Sequence, residues 1–189
     1  MIYPNAMTRR VLLGGLASLP VLAAAAPAMA SAPAVLRGAG QFHKLAMVND
    51  RTGEWLNTVY WADGTYIPEA LGALNHILRD WREDKVHKMD PGVLDILAAT
   101  HRLLETDEPF TIVSGYRTPK TNAMLRRHSS GVAKNSYHIK GMAIDVTLKS
   151  RTVEQISRAG LSLNGGGVGR YTSSDFVHLD CGPVRTWGS

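Results

Sequence analysis

Ser136-Tyr137-His138-Ile139-Lys140-Gly141-Met142-Ala143-Ile144-Asp145 is the stretch on which the reading of this chain turns. It follows a Gly/Ser/Lys loop over residues 129–136 and leads into an apolar run, Met142 to Leu148. The apolar run reads as a strand with Asp145 inside it. His138 and Asp145 are too far apart in sequence to share one helical face. They can meet if His138 ends the loop and the chain bends near Gly141. A carboxylate between Ile144 and Val146 is costly to bury unless it is paired or binds a metal. The competing reading is a structural carboxylate bonded to backbone amides or to an arginine.

Near the C-terminus, Asp175-Phe176-Val177-His178-Leu179-Asp180 supplies a second imidazole. Alternation along a strand puts Phe176, His178 and Asp180 on one face. His138, Asp145 and His178 together are the three protein ligands that a catalytic zinc site needs, with one position left for water. Asp175 stands at the strand's entry and is a candidate base. Asp180 is a candidate partner that orients the imidazole. The plain alternative is a surface hairpin with ordinary polar residues. Arg117, in Ser114-Gly115-Tyr116-Arg117, follows a strand and a glycine turn. Its planar fork suits a carboxylate or a developing oxyanion, and equally a structural salt bridge.

Outward from these motifs, Leu45–Val48 and Leu56–Trp61 read as strands joined by a turn over residues 49–53. Helical spacing begins at Pro68, with Leu71, Leu74, Leu78 and Trp81 on one face. Asp90-Pro91 reads as the cap and first turn of a second helix with Leu94, Leu97, Ala98 and Leu104 inward. Phe110–Val113 reads as a central strand. A polar helix is expected to reach about His128, a short helix to run from Thr152 to Ala159, and a hairpin to pair residues 168–171 with 176–180. His76, His87 and His101 have no partner at ligand spacing and read as surface or satisfied histidines. The order predicts an α+β domain with a small, largely antiparallel sheet flanked by helices.

The remaining composition narrows the classes. Thr8-Arg9-Arg10-Val11-Leu12-Leu13 opens a basic-then-apolar segment that ends in Ala28-Met29-Ala30. This is the pattern of a secretory signal over residues 1–30, and its paired arginines resemble a twin-arginine export signal. An uncleaved anchor is the alternative, but the apolar run is short for a span and interrupted by Gly14, Gly15, Ser18 and Pro20. Residues 31–41 read as a flexible linker, and residues 42–189 as the folded domain. Residues 1–30 hold two basic residues and no acidic one, which lowers the net charge from +5 to +3 for the remainder. With no basic run or aromatic platform, nucleic acid is not an expected partner. Gly165-Gly166-Gly167-Val168-Gly169 leads into a strand rather than a helix, so it does not read as a nucleotide loop; glycine there lets backbones approach closely. Cys181 is the only cysteine, which excludes an intrachain disulfide and a tetrathiolate site, and it reads as a small buried residue.

Taken in order, Ser136-x-His138-x6-Asp145, Asp175-x-x-His178 and the upstream Arg117 resemble the zinc peptidases that include D-alanyl-D-alanine dipeptidases and carboxypeptidases. The chain is more closely similar to the periplasmic murein endopeptidase K type. That resemblance extends from about Leu45 to Trp187 and takes in Leu74-Asn75-His76, Asp90-Pro91-Gly92, Gly131-Val132-Ala133-Lys134 and Gly166-Gly167-Val168-Gly169. It implies a hedgehog/DD-peptidase-type fold and one Zn2+ held by His138, Asp145 and His178. It further implies Asp175 as base, Arg117 at the oxyanion or a substrate carboxylate, and Tyr116 and Ser136 positioning substrate. The implied substrate is a peptide crosslink of peptidoglycan, one between two diaminopimelates being a candidate. The implied setting is the periplasm, with a monomer not inserted in the membrane. The family's pattern has Glu where this chain has Asp175, one methylene or about 1.5 Å shorter. The alternatives within reach are a D-Ala-D-Ala carboxypeptidase and a zinc-bearing wall-binding module without catalysis.

Overall fold

The computed structural model describes residues 40–129 and 131–188. The export signal read at residues 1–30, and residues 31–39 of the linker, lie outside the described residues. No helix among those described is long and apolar enough to cross a membrane.

Strand β1 (Phe42–Asn49) alternates outward and inward residues, so His43, Leu45, Met47 and Asn49 face the core. It turns through residues 50–53 into β2 (Glu54–Ala62), its antiparallel partner. The Asn49 carbonyl accepts from Thr52 and Gly53 to close the turn. A two-residue strand, β3 (Thr65–Tyr66), extends the hairpin. Helix α1 (Pro68–Ile77) buries Ala70, Leu74 and Ile77. It ends earlier than the apolar spacing suggested. Trp81 is not on its face but in the following turn, under the Arg82 guanidinium 4.3 Å from its ring centroid. Helix α2 (Pro91–Leu103) starts where Asp90 accepts from the Gly92 amide at 2.8 Å.

The second half adds β4 (Phe110–Ser114), the polar helix α3 (Pro119–His128), β5 (Ala143–Thr147), α4 (Val153–Ser162), β6 (Gly167–Tyr171), β7 (Phe176–Asp180) and β8 (Arg185–Gly188). The eight strands form one sheet in the order β3-β2-β1-β4-β5-β7-β6-β8. The chain is therefore α+β, as expected, but the sheet is larger than expected and mixed. β1 pairs with β4, and β6 with β8, in parallel. The reason is that α1 and α2 intervene between β1 and β4, which allows a parallel return that a hairpin could not make.

Helix α2 crosses β1 and β7 and packs on α4, which covers β6 and β7, while α1 covers β2. One apolar core results, running from Leu45 and Met47 through Leu94 and Leu97 to Val177 and Leu179. Buried Asp95 fastens α2 to the hairpin by accepting from the Tyr60 and Tyr66 hydroxyls at 2.9 and 2.6 Å. Its burial pushes its pKa up, and satisfying both oxygens is what makes that burial tolerable.

Candidate metal centre

Strands β5 and β7 are antiparallel neighbours, and their register sets Asp145 directly opposite His178. Adjacent residues in such a ladder bring their side chains within contact distance on one face. His138 reaches the same point from a 3-10 turn over Tyr137–Lys140. Ser136 caps this turn by accepting from the His138 amide at 3.3 Å. Gly141 ends it in the left-handed region, at φ 68°. A Cβ at Gly141 would lie 2.6 Å from the Lys88 carbonyl oxygen, so only glycine makes this bend. The bend between loop and strand is therefore where the sequence places it.

Three atoms meet there. His138 Nε2 is 3.1 Å from Asp145 Oδ1 and 3.1 Å from His178 Nδ1, and His178 Nδ1 is 2.8 Å from Asp145 Oδ1. All three residues are buried. The outer partners decide where the protons sit. His138 Nδ1 lies 2.7 Å from the Gly115 carbonyl, which can only accept. His178 Nε2 lies 2.9 Å from Asp180 Oδ2, inside a buried carboxylate. Each imidazole thus commits one N–H outward and turns its other nitrogen toward Asp145, where it can hold either a proton or a metal.

Two nitrogen lone pairs and a carboxylate oxygen converging within about 3 Å repel one another unless a proton or a cation enters. Zn–N bonds of about 2.0–2.1 Å place neighbouring donors of a tetrahedron about 3.3 Å apart, close to the spacing seen. The donor set and the acceptors behind both imidazoles fit a metal. Among the described residues this is the one such cluster of His, Cys, Asp or Glu. Without a cation the alternative is a proton. Burial alone would lower His178, but the bonds to Asp145 and Asp180 outweigh it and raise its pKa to about 9. Burial pushes His138 below its ordinary value. Asp145 is raised by burial but lowered further by His138 and His178, and stays well below the usual carboxylate range.

The triad forms the foot of a hollow of about 380 Å³. Arg117 lines it, and its one side-chain hydrogen bond among the described residues runs from Nη2 to Ser136 Oγ at 3.1 Å. Ser136 lines it too. Asp180 lies behind His178, as the strand alternation indicated. Two expected residues are not brought to the triad. Tyr116 stacks on His87 with ring centroids 4.5 Å apart and packs against the core instead. Asp175 is exposed in a left-handed turn at φ 52°, beside residues 148–154 and a different hollow. The physical reason is that Asp175 lies outside β7, which begins at Phe176, so the strand's alternation does not direct it and the left-handed turn does. The sequence reading missed Tyr137, Tyr171, Arg185 and Trp187, which wall the hollow. The available signal was the period-two pair Arg185 and Trp187 after the Gly182-Pro183 turn. Cys181 is half-buried, and burial pushes its thiol up to about 12, which fits a packing residue rather than a nucleophile.

The chain is similar to several known proteins. The family model described as peptidoglycan L,D-endopeptidase MepK matches residues 37–187. Peptidoglycan L,D-endopeptidase MepK of Escherichia coli K12 is 44% identical over 143 residues, 76% of this chain and 79% of that one. The probable peptidoglycan L,D-endopeptidase MepK of Haemophilus influenzae is 43% identical over 145 residues, 76% of this chain and 77% of its own. The crystal structure of Serratia marcescens L-Ala D-Glu endopeptidase ChiX aligns with 40% of this chain and 62% of its own, at 20% identity and a TM-score of 0.33. By the extent of the family match and the identity to full relatives, the chain belongs to the peptidoglycan L,D-endopeptidase MepK family.

Proposed function

We propose that this protein is a zinc-dependent murein endopeptidase that hydrolyses peptide crosslinks of peptidoglycan. Membership of the MepK family supports the peptidase activity and its substrate. The observation that carries the zinc reading is the convergence of His138 Nε2, Asp145 Oδ1 and His178 Nδ1 at the foot of the hollow. The chemistry a zinc ion supplies in such a site is polarisation of a peptide carbonyl and acidification of a water.

The chain's own residues do the rest. His138 and His178, held by Gly115 and Asp180, each keep one ring nitrogen turned inward to serve as a ligand. Arg117 leaves most of its donors unused by the protein and is read as the group that receives the oxyanion or a stem-peptide carboxylate. Ser136 holds that guanidinium in place. The hollow's aromatic wall excludes water from one side of a bound peptide. A crosslink joining two diaminopimelates is the proposed bond. The motif order supports a DD-peptidase-type fold. Arg9, Arg10 and the apolar run after them support export to the periplasm by the twin-arginine route, with removal of residues 1–30.

The test is digestion of purified sacculi, with products separated by mass. Wild-type protein loaded with zinc should remove crosslinked dimers, and a chelator should stop it. His138→Ala and His178→Ala should each lose stoichiometric zinc and at least 100-fold in rate. Shortened stems with intact dimers would identify a carboxypeptidase instead, and sacculus binding with no new product would identify a wall-binding module.

A further inference from the structure

We propose that Arg185 is a positioning residue of the metal centre, acting through Asp180 to fix the orientation and tautomer of His178. The inference rests on the metal-centre reading above and extends it one shell outward. Asp180 is fully buried, yet its carboxylate accepts five donors. Oδ1 accepts from the Gly182 amide at 2.8 Å, the Gly167 amide at 3.2 Å and Arg185 Nη1 at 3.0 Å. Oδ2 accepts from Arg185 Nη2 at 2.6 Å and from His178 Nε2 at 2.9 Å. The pairing with Arg185 is two-pronged, the geometry that fixes a carboxylate's plane as well as its place. A carboxylate so fully engaged has no lone pair left over for a water in the hollow, so Asp180 serves His178 and not the chemistry directly.

The surroundings are built for this pair. The Arg185 guanidinium carbon lies 5.1 Å from the Tyr137 ring centroid and 4.7 Å from that of Trp187. Both aromatic rings therefore lie within cation–π range of the guanidinium. Backbone gives way around it. A Cβ at Gly167 would lie 2.6 Å from Asp180 Oδ2, and one at Gly182 would lie 2.6 Å from the Tyr137 ring and 2.9 Å from Asp180 Oδ1. The glycines of the β6 entry and of the Gly182-Pro183 turn clear the slot that the ion pair fills. A surface salt bridge needs no such slot. Outer partners of metal-bound histidines are worth about 10–100-fold in metal affinity or activity.

The experiment is a double-mutant cycle on the full-length protein, Arg185→Met, Asp180→Asn and the two combined. Zinc affinity is read by competition with a chromogenic chelator. Ligand geometry is read from the visible absorption of the cobalt-substituted protein. Arg185→Met should weaken zinc 10–100-fold and alter the cobalt spectrum, and Arg185→Lys should recover part of both. Combined with Asp180→Asn, Arg185→Met should add nothing, because its effect passes through Asp180. If Arg185→Met leaves a buried carboxylate unpaired and fails to fold, the comparison of Asp180→Asn with the double variant decides alone. Zinc affinity unchanged by Arg185→Met, or a further loss in the double variant, overturns the inference. A wild-type protein that takes up no stoichiometric zinc overturns the metal reading itself, which separates the two failures.

Discussion

His178 carries the sharpest residue-scale consequence. Its Nε2 is committed to Asp180 and its Nδ1 faces Asp145, so the metal-free protein holds a proton where a metal would bind. The raised value, about 9 against an ordinary 6.5, means that Nδ1 is protonated throughout the neutral range. A metal must displace that proton below pH 9. Apparent affinity should therefore rise by about tenfold per pH unit between pH 6 and 8 and flatten above pH 9. Chelator competition at a series of pH values reads this directly, and a flat profile from pH 6 to 8 contradicts it. In the metal-free protein the same shift has the opposite sense. Its stabilisation is complete below pH 6.5 and is lost as pH rises through about 9. At this scale the sequence was readable where a residue type was chemically odd for its place. A charge amid Ile144 and Val146, and an imidazole in an apolar strand, announced themselves. Arg185 did not, because an arginine near a Pro-Val turn is ordinary until the buried carboxylate beneath it is known.

The strands decide which oddities matter. β5 and β7 lie side by side, so Asp145 and His178 face each other without any special loop. Asp175 falls just before β7, and its left-handed turn sets it on the surface beside residues 148–154. Asp175→Ala should leave sacculus hydrolysis within about twofold of wild type, in keeping with ordinary surface substitutions; a loss of tenfold or more at unchanged zinc content would return the base role to it. Spacing within one strand was legible in advance, and so were the cap at Asp90 and the hairpin around Asn49. Strand order was not. Which strands become neighbours depends on how α1, α2 and α4 pack, and nothing local to β1 states that its partner is β4. The short strands β3 and β8 also escaped, since two to four residues carry too little periodicity to read.

Across the molecule, the core and the metal centre share a sheet but not a dependence. The apolar contacts gather where α1, α2 and α4 cover the strands, and the ligands use few of them. Removing metal should lower the unfolding temperature without unfolding the chain. A free metal concentration of 100 times Kd contributes about 2.7 kcal/mol, or roughly 5–10 °C for a domain of this size. Scanning calorimetry with and without chelator, beside far-ultraviolet circular dichroism at 25 °C, checks both halves; loss of the dichroism spectrum on chelation would show the metal to be part of the fold. The placing of the site late in the chain has a consequence in time. His178, Asp180, Arg185 and Trp187 all follow α4, and β8 closes the far edge of the sheet beside β6. During synthesis the core helices and six of the eight strands emerge before any of these four residues. The chain up to β6 therefore carries His138 and Asp145 while it is still chemically silent, and β7 completes the ligand set and the centre of the sheet in one step.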